Sequence, residues 1–367
     1  MPTDRRDASS HAILTVDLAA IVANWRLLRD RRVSRETGAV VKGNGYGLGA
    51  SPVAAALYDA GCRTFFVATP NEAFDLRDAM PDARLVVLGG LFAGAEADFA
   101  HRGIVPALGS LTEIETWSRL ARHLECALPA FLHFDTGMAR TGLDAHELAR
   151  LTGDHGMLTG LSAVCAMSHL AVAEARDDPL NRAQLERFTA GMARLPPMQA
   201  SLANSSGMFL GPEFGFDIAR PGAALYGVNP TPGRPNPMRT VATLRARVLT
   251  VREIPAGASV GYSATWIADG PRRIATIGVG YADGWHRSRS NTGFAYFDGT
   301  PVPLVGRVSM DLTTYDVTDR PAVQPGGWLE LLGPHCPVDD AARDAGTIGY
   351  EVLTALGSRL HRIYSPA

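Results

Sequence analysis

Short apolar runs alternate with helical patterns through the first two thirds of this chain of 367 residues. Eight runs have the length and composition of buried strands, and several are rich in β-branched or aromatic residues. The first of these runs ends at Lys42. The other seven cover residues 64–68, 85–88, 104–108, 130–134, 160–167, 198–202 and 222–226. Helical candidates such as 70–80 and 145–152 separate them, so the pattern predicts βαβ units. Eight such units predict an α/β fold, a TIM-like (β/α)8 barrel.

The character of the sequence changes at residues 230–237, where four of the eight residues are proline. Proline cannot continue a helix or a central strand, so this stretch predicts a domain boundary. Strand-like segments follow at 241–252, 273–279, 295–297, 302–308, 313–317 and 328–332, with one late helix at 347–356. We therefore expect the barrel over residues 1–238 and a smaller, mainly-β C-terminal domain over residues 239–367, which residues 1–12 could join.

Composition excludes several classes of protein. A hydrophobic content of 46% with 20% charged residues is that of an ordinary globular protein, and a net charge of -2 argues against nucleic-acid and anionic-membrane partners. The four cysteines are widely spread without metal-ligand spacing, and they predict reduced thiols and no metal site. No signal segment or membrane-spanning run is found, so we expect a cytoplasmic protein.

The segment 39–49, Ala-Val-Val-Lys-Gly-Asn-Gly-Tyr-Gly-Leu-Gly, places Lys42 where a buried strand stops. Poor solvation at such a position lowers the pKa of a lysine and favours the neutral amine that Schiff-base chemistry needs. The glycines of the following loop alternate, so the segment is neither a dinucleotide fingerprint nor a P-loop. Taken alone, a solvated lysine after a strand is the commoner situation.

This segment resembles the cofactor-lysine motif of alanine racemases, A-V-V-K-A-x-A-Y-G-H-G. The chain has glycines where the family often has alanines, and Leu48 where the family often has histidine. The resemblance implies that pyridoxal 5′-phosphate (PLP) is bound covalently to Lys42. It also implies that Tyr46 contacts the cofactor phosphate.

The stretch 133–142 resembles the family motif K-x-D-T-G-M-x-R-x-G. The resemblance implies that Arg140 bonds the phenolic oxygen of the cofactor and lies near the substrate carboxylate. His133 stands where many members have a carbamylated lysine that orients this arginine. Histidine forms no stable carbamate, so another group must support Arg140. Without the motif, Arg140 would be interpreted as one half of a surface ion pair.

Further motif matches supply the remaining cofactor contacts that the resemblance implies. They are His169 beside the pyridine ring, Asn204 and Ser205 in an A-N-S match, the backbone N–H groups of Gly222 and Ala223 at the phosphate, and Tyr350 of a Y-E-x-L match, also at the phosphate.

Arg220, in a match to R-x-G-x-x-L-Y-G, is implied to face the pyridine nitrogen. An arginine donates a hydrogen bond there but does not give up its proton, so the ring nitrogen stays largely unprotonated. The cofactor is then a weaker electron sink, which favours return of the proton to Cα over transamination.

The predicted β domain supplies a second set of residues. Tyr262, in a match to x-Y-G-A-T, is implied to be the second catalytic base, although a free tyrosine has a pKa of about 10 and needs tuning by its neighbours. Tyr281 in the Y-A-D-G-W match is implied to line the substrate path. Met310 and Asp311 in the G-R-x-x-M-D match are implied to meet the substrate carboxylate.

The resemblance implies a head-to-tail homodimer in which Tyr262, Tyr281, Met310 and Asp311 of one chain reach Lys42 of the other. The leading interpretation is an alanine racemase in which Lys42 and Tyr262 move protons on opposite faces of Cα. A broader amino-acid racemase on the same scaffold is the main alternative. A decarboxylase of the same class and a non-catalytic PLP-binding protein are weaker ones, because Arg220 and Tyr262 argue against them.

Overall fold

The computed structural model describes residues 9–367, except for the side chains of residues 163 and 164. Within this part of the chain, no helix is both long and apolar enough to cross a membrane.

Strands and helices alternate through the N-terminal part, as predicted. The strands are β1 (Ala12–Asp17), β2 (Glu36–Thr37), β3 (Ala39–Val40), β4 (Thr64–Val67), β5 (Arg84–Val87), β6 (Val105–Leu108), β7 (Leu128–His133), β8 (Leu161–Met167), β9 (Gln199–Ser201) and β10 (Ile218–Ala219). The helices are α1 (Leu18–Asp30), α2 (Lys42–Tyr46), α3 (Ala50–Asp59), α4 (Pro70–Arg77), α5 (Glu96–Arg102), α6 (Leu111–His123), α7 (Ala145–Gly153) and α8 (Pro179–Met192).

Strands β3 to β9 form a parallel sheet in which the spatial order follows the chain. β10 closes the ring, because it pairs in parallel with β2 and its neighbours bond across both gaps. On one side the Gly38 N–H donates to the Ala219 carbonyl (3.0 Å), and on the other the Arg220 N–H donates to the Ala203 carbonyl (2.9 Å). The predicted (β/α)8 barrel is therefore confirmed.

The eighth strand was predicted in the wrong place. It is Ile218–Ala219, whereas the apolar run at 222–226 contains a 3-10 turn at Ala223–Tyr226. The N–H groups of Gly222 and Ala224 both donate to the Ser205 hydroxyl, at 2.9 and 3.2 Å. Because these donors turn towards a side chain, the run cannot continue the ladder of the sheet.

Capping residues fix where the barrel helices begin. The Asp17 carboxylate accepts the Ala20 N–H (2.8 Å) at the start of α1. α4 begins with a capping box formed by Thr69 and Glu72, followed by proline, and ends at Arg77 rather than at the predicted residue 80. These caps hold the loops at the carboxyl ends of the strands in fixed positions.

The C-terminal part is mainly β. Its strands are β11 (Ala242–Ile254), β12 (Ser259–Val260), β13 (Trp266–Ile267), β14 (Arg272–Ile277), β15 (Phe294–Phe297), β16 (Thr300–Pro303), β17 (Thr313–Asp316), β18 (Trp328–Leu332) and β19 (His361–Ser365), and its helices are α9 (Val338–Ala345) and α10 (Gly349–Ala355). β1 from the start of the chain lies between β11 and β19 in this sheet. The strand predicted at 302–308 is shorter, since β16 ends at Pro303 and Gly306 takes a φ of +76°.

One hydrophobic core runs from the barrel into the β sheet. Phe65, Phe66 and Phe131 fill the barrel, and Leu14 and Leu329 belong to the same cluster in the sheet. The two parts are therefore packed together.

Candidate active site

A cavity of about 490 Å³ opens at the carboxyl ends of the barrel strands. All ten residues that were predicted to bind the cofactor line it: Lys42, Tyr46, Arg140, His169, Asn204, Ser205, Arg220, Gly222, Ala223 and Tyr350. This placement agrees with the rule that function gathers at this face of a barrel.

Lys42 begins a left-handed turn. Residues 43–47 all have positive φ, and Gly43, Asn44 and Gly45 lie near φ 60° and ψ 45°. A Cβ on Gly47 would stand 2.2 Å from the Leu353 carbonyl oxygen of α10. The alternating glycines thus serve backbone geometry, because a left-handed residue with a side chain costs about 1–2 kcal/mol.

Burial lowers the pKa of Lys42, and the nearby Arg140 and Arg220 guanidinium groups lower it further. Glu72 acts in the opposite direction. This environment favours the neutral amine, as the sequence predicted.

A signal in the composition was missed. Of the 35 lysine and arginine residues, Lys42 is the only lysine, so the other 34 are arginine. Any chemistry that needs a side-chain amine can therefore occur at one position only.

Arg220 lies buried beneath the cavity, with 3% of its surface exposed. Its guanidinium donates to the Ser201 hydroxyl (2.5 Å) and to the Ser168 carbonyl (2.5 Å), and lies 3.4 Å from His169 Nδ1. No carboxylate within residues 9–367 forms an ion pair with it. Burial lowers the pKa of Arg220 to about 10, so it remains a cation at neutral pH.

Two histidines near this arginine are neutral at pH 7. Burial, followed by the charge of Arg220, lowers the pKa of His169 well below its ordinary value. The same causes, with a contribution from Arg140, lower the pKa of His133 to about 4. A neutral His169 can accept a hydrogen bond from Arg220.

The loop that carries Arg140 is fixed by Asp135, a residue that the sequence analysis did not single out. The Asp135 carboxylate accepts the N–H groups of Gly137 (2.8 Å), Met138 (2.9 Å) and Ala139 (3.0 Å). Ala139 takes a φ of +55°. Arg140 itself is exposed and forms no ion pair with any described carboxylate, so the surface ion pair considered above is absent from this part of the chain.

Hydroxyl and backbone donors gather at the other end of the cavity. Ser205 bonds the N–H groups of Gly222 and Ala224, as described above. The Tyr46 ring stacks on Tyr226 with ring centroids 4.6 Å apart. A Cβ on Gly222 would lie 2.4 Å from the Tyr46 hydroxyl oxygen, so only glycine leaves this space open. Two guanidinium groups, the Lys42 amine and several hydroxyl groups around one cavity fit a phosphorylated cofactor that bonds to an amine.

The second set of predicted residues lies elsewhere on the chain. Tyr262, Tyr281, Met310 and Asp311 belong to the β region, and none of them lines the cavity. Tyr262 is 69% exposed on a 3-10 turn. The cavity of one chain therefore lacks the second base that the sequence predicted.

Backbone pairing assembles three of these four residues. The Tyr281 N–H donates to the Ser309 carbonyl (3.0 Å), and the Ala282 N–H donates to the Met310 carbonyl (2.9 Å). Any Cβ on Gly280 would lie 2.3 Å from both carbonyl oxygens, so glycine is required where the two segments meet.

A charged network behind this surface was also missed. The buried Asp283 carboxylate lies 3.0 Å from Arg359 Nε, and Arg359 Nη1 donates to Asp311 at 2.7 Å. The His11 ring lies 3.2 Å from the same Asp283 carboxylate. The motif Y-A-D-G-W contained the signal, because an aspartate inside a turn with aromatic flanks is a candidate for a buried anchor.

The chain is similar to known proteins over almost its whole length. The family model described as "Alanine racemase, N-terminal domain" matches residues 16–230, and that described as "Alanine racemase, C-terminal domain" matches residues 241–364. An alanine racemase of Acidiphilium cryptum is 52% identical over 96% of this chain and 99% of that protein. One of Brucella abortus is 48% identical over 98% and 95%.

Two solved structures are similar over the whole fold. The alanine racemase of Bartonella henselae with covalently bound pyridoxal phosphate has a TM-score of 0.94 and 44% identity, covering 97% of this chain and 100% of that one. The biosynthetic alanine racemase of Pseudomonas aeruginosa has a TM-score of 0.91 and 36% identity, covering 97% and 99%.

Proposed function

The chain belongs to the alanine racemase family, and from this premise we propose that it interconverts L- and D-alanine with PLP held by Lys42. One observation carries the assignment to this site: the only lysine of the chain lines a cavity together with Arg140 and Arg220. The names of the relatives favour alanine over the broader substrate range considered above.

The residues of the cavity divide into those that hold the phosphate and those that face the ring. Ser205, Tyr350 and the N–H groups of Gly222 and Ala223 lie around the phosphate end, and Arg220 faces the pyridine nitrogen. PLP, when bound, withdraws electrons from the substrate Cα and so makes its proton removable. Because Arg220 is held by Ser201 and Ser168 and keeps its own proton, it limits this withdrawal.

Proton transfer needs a group on each face of Cα. Lys42 supplies the amine on one face, and burial and two guanidinium groups lower its pKa towards the range in which the free base forms. Tyr262 supplies a phenol on the other. Arg140, Met310 and Asp311 bind the substrate carboxylate, and Tyr281 lines the path to the site.

We propose a head-to-tail homodimer, because Tyr262 does not line the cavity of its own chain. Tyr262 is largely exposed, and so is Met310 beside Tyr281. Neighbouring exposed apolar side chains are typical of a surface that binds another protein chain. Activity should then fall when the protein is diluted through the dimer dissociation range. Constant specific activity in a demonstrated monomer would exclude the dimer.

The domain boundary and location are proposed on separate grounds. The two family matches stop and resume on either side of the boundary at 238/239. The four cysteines are all unpaired, which supports a cytoplasmic location.

The function is tested by chiral analysis. The PLP-loaded protein should convert L-alanine to an equal mixture of enantiomers, with solvent deuterium appearing at Cα in D₂O. In a panel of other L-amino acids, alanine should react fastest. Absence of both exchange and inversion would indicate a non-catalytic PLP-binding protein, and exchange without inversion would exclude a racemase.

A further inference from the structure

Three barrel helices begin with the same device. α4, α6 and α7 each carry a glutamate at the third helical position, Glu72, Glu113 and Glu147. Each carboxylate accepts backbone N–H groups from the segment just before its own helix and from a neighbouring βα unit. A glutamate at this position usually completes a capping box. The three glutamates therefore share one structural role. Any additional role of Glu72 should be absent from Glu113.

Glu113 shows the device remote from the cavity. Its two carboxylate oxygens accept the Leu91 N–H (2.8 Å) and the Gly109 N–H (2.7 Å). Neither of these two residues lines the cavity. Glu113 thus ties two neighbouring βα loops together without contacting the loop of Lys42.

Glu72 makes the corresponding contacts to the loop of Lys42. One of its oxygens accepts the N–H groups of Gly43 (2.6 Å) and Asn44 (3.4 Å). The other accepts the N–H groups of Ala68 (2.7 Å) and Thr69 (3.2 Å). The carboxylate therefore joins the left-handed turn after Lys42 to the end of β4.

This turn needs an external anchor. Gly43 and Asn44 are exposed and left-handed, and the turn carries the conformational cost described above. A charged acceptor of two successive N–H groups stabilises such a concave backbone. The residue just before the turn is Lys42, so movement of the turn moves the amine.

Glu72 also differs from its counterparts in its electrostatic setting. The titratable and charged groups around Lys42 are Glu72, Arg140, Arg220, His133, His169, Tyr46 and Tyr350. Glu72 is the only one of these whose charge favours the protonated amine. The balance between free base and ammonium at Lys42 thus depends on this carboxylate.

We propose that Glu72 is a positioning residue for Lys42: it fixes the backbone that carries the amine and supplies a negative charge beside it. The inference rests on the proposed role of Lys42 as a proton-transferring residue. A capping glutamate that only stabilises α4 would make neither contribution.

The test uses the full chain without PLP, so that it depends on neither cofactor nor substrate. Because Lys42 is the only lysine, trace acetylation with acetic anhydride at a series of pH values, followed by peptide mass spectrometry, reports one side-chain amine. In Glu72→Gln the midpoint of labelling should shift to lower pH, since the charge that favours the ammonium is lost. In Glu113→Gln, the matched control, the midpoint should equal that of the unaltered protein.

The loaded enzyme gives the second readout. Glu72→Gln should lower kcat for alanine racemisation about tenfold through misplacement of the amine, and its kcat–pH profile should move in the same direction as the labelling midpoint. Glu72→Gln and Glu113→Gln should lower the melting temperature by similar amounts, but Glu113→Gln should leave kcat unchanged.

Glu72→Asp separates the two contributions and serves if Glu72→Gln does not fold. It keeps the charge but shortens the reach, so the labelling midpoint should stay near that of the unaltered protein while kcat falls. Equal labelling midpoints in Glu72→Gln and Glu113→Gln, or unchanged labelling in Glu72→Gln, would overturn the proposal. Labelling needs no catalysis. A protein without racemase activity would therefore fail the functional test, but the labelling result could still be interpreted.

Discussion

The two halves of the proposed active site differ in how they are built. The barrel half is internal: Arg220 is 3% exposed and Tyr46 is 8% exposed, and both line a cavity formed within one chain. The β half is external, with Tyr262 at 69% and Met310 at 54% exposure. A single chain thus forms the cavity by itself and leaves Tyr262 and Met310 exposed outside it.

The external half is nonetheless held in place. Asp283, which is fully buried, fixes Arg359, and Arg359 fixes Asp311. Backbone bonds hold Tyr281 against the segment that carries Met310. Exposure here therefore does not reflect a loose loop, and this supports a preformed contact surface.

The largest effect is expected at the centre of the barrel half. Lys42→Arg should lower racemisation by about a thousandfold or more, because arginine neither bonds the cofactor covalently nor releases a proton near neutral pH. Borohydride should then fix no PLP to the chain. The rate of D-alanine formation and the mass of the reduced protein measure both effects.

A matched control exploits the single lysine. The double variant Lys42→Arg with Arg122→Lys places an amine on the exposed face of α6. It should stay as inactive as the single variant. Recovered activity would show that position 42 is dispensable.

In the β half, Tyr262→Phe should slow racemisation by about a hundred- to ten-thousandfold, the range for removal of a general acid–base group. Its PLP content and melting temperature should not change, because the side chain is largely exposed and does not line the cavity of its own chain. Tyr58→Phe, on α3, is the control and should keep full activity. If the Tyr262→Phe variant racemises alanine as fast as the unaltered protein, Tyr262 is not the second base.

Arg359→Gln tests whether the external half is preorganised. Asp311 would lose its 2.7 Å contact and Asp283 its nearest cation, so KM for alanine should rise about tenfold with a smaller change in kcat. Steady-state kinetics measure the split. Arg343→Gln removes an exposed pair with Asp340 and should alter neither constant. Equal kinetics for both variants would refute a role of Arg359 in holding Asp311.

The smallest effect is the loss of folding stability in acid, which we expect to arise in the barrel half at His133. His133 has a folded pKa of about 4, below the ordinary value of about 6.5, so the unfolded chain binds its proton first as the pH falls. Stability from neutral His133 is complete above pH 6.5 and is lost between pH 6.5 and 4, with roughly 1 kcal/mol gone at pH 5.5. Denaturant unfolding at pH 7.5 and 5.5 should show a smaller difference for His133→Gln. An unchanged difference would mean that His133 does not titrate on unfolding.

The parts of the fold that periodicity encodes were predictable. Buried strands and capped helices in alternation predicted the barrel, whereas the domain boundary at the proline cluster of residues 230–237 stays a prediction. The eighth strand was misplaced because Ile218–Ala219 is only two residues long, whereas the longer apolar run at 222–226 is turned aside by bonds to Ser205. Such bonds between distant segments leave no local pattern.

The candidate site was predictable where a short motif contains both the residue and its neighbours. All ten residues that were predicted to bind the cofactor line one cavity for this reason. The contacts of Glu72, Asp135 and Arg359 were not predicted, because each joins loops or segments whose proximity only the fold creates. The support of Arg140 could not be predicted for the same reason. Asp135 anchors its loop, and its guanidinium forms no ion pair within the described residues.

In the proposed homodimer, Lys42 and Tyr262 act together although they belong to different chains. Lys42→Ala and Tyr262→Phe proteins should each be nearly inactive, and mixing them after reversible dissociation forms dimers that combine one chain of each. In a two-fold symmetric dimer with shared sites, one of the two sites in such a dimer is unaltered, so an equal mixture should recover about a quarter of full activity. A mixture that exchanges subunits and yet stays inactive would place both residues in the same chain and contradict the account.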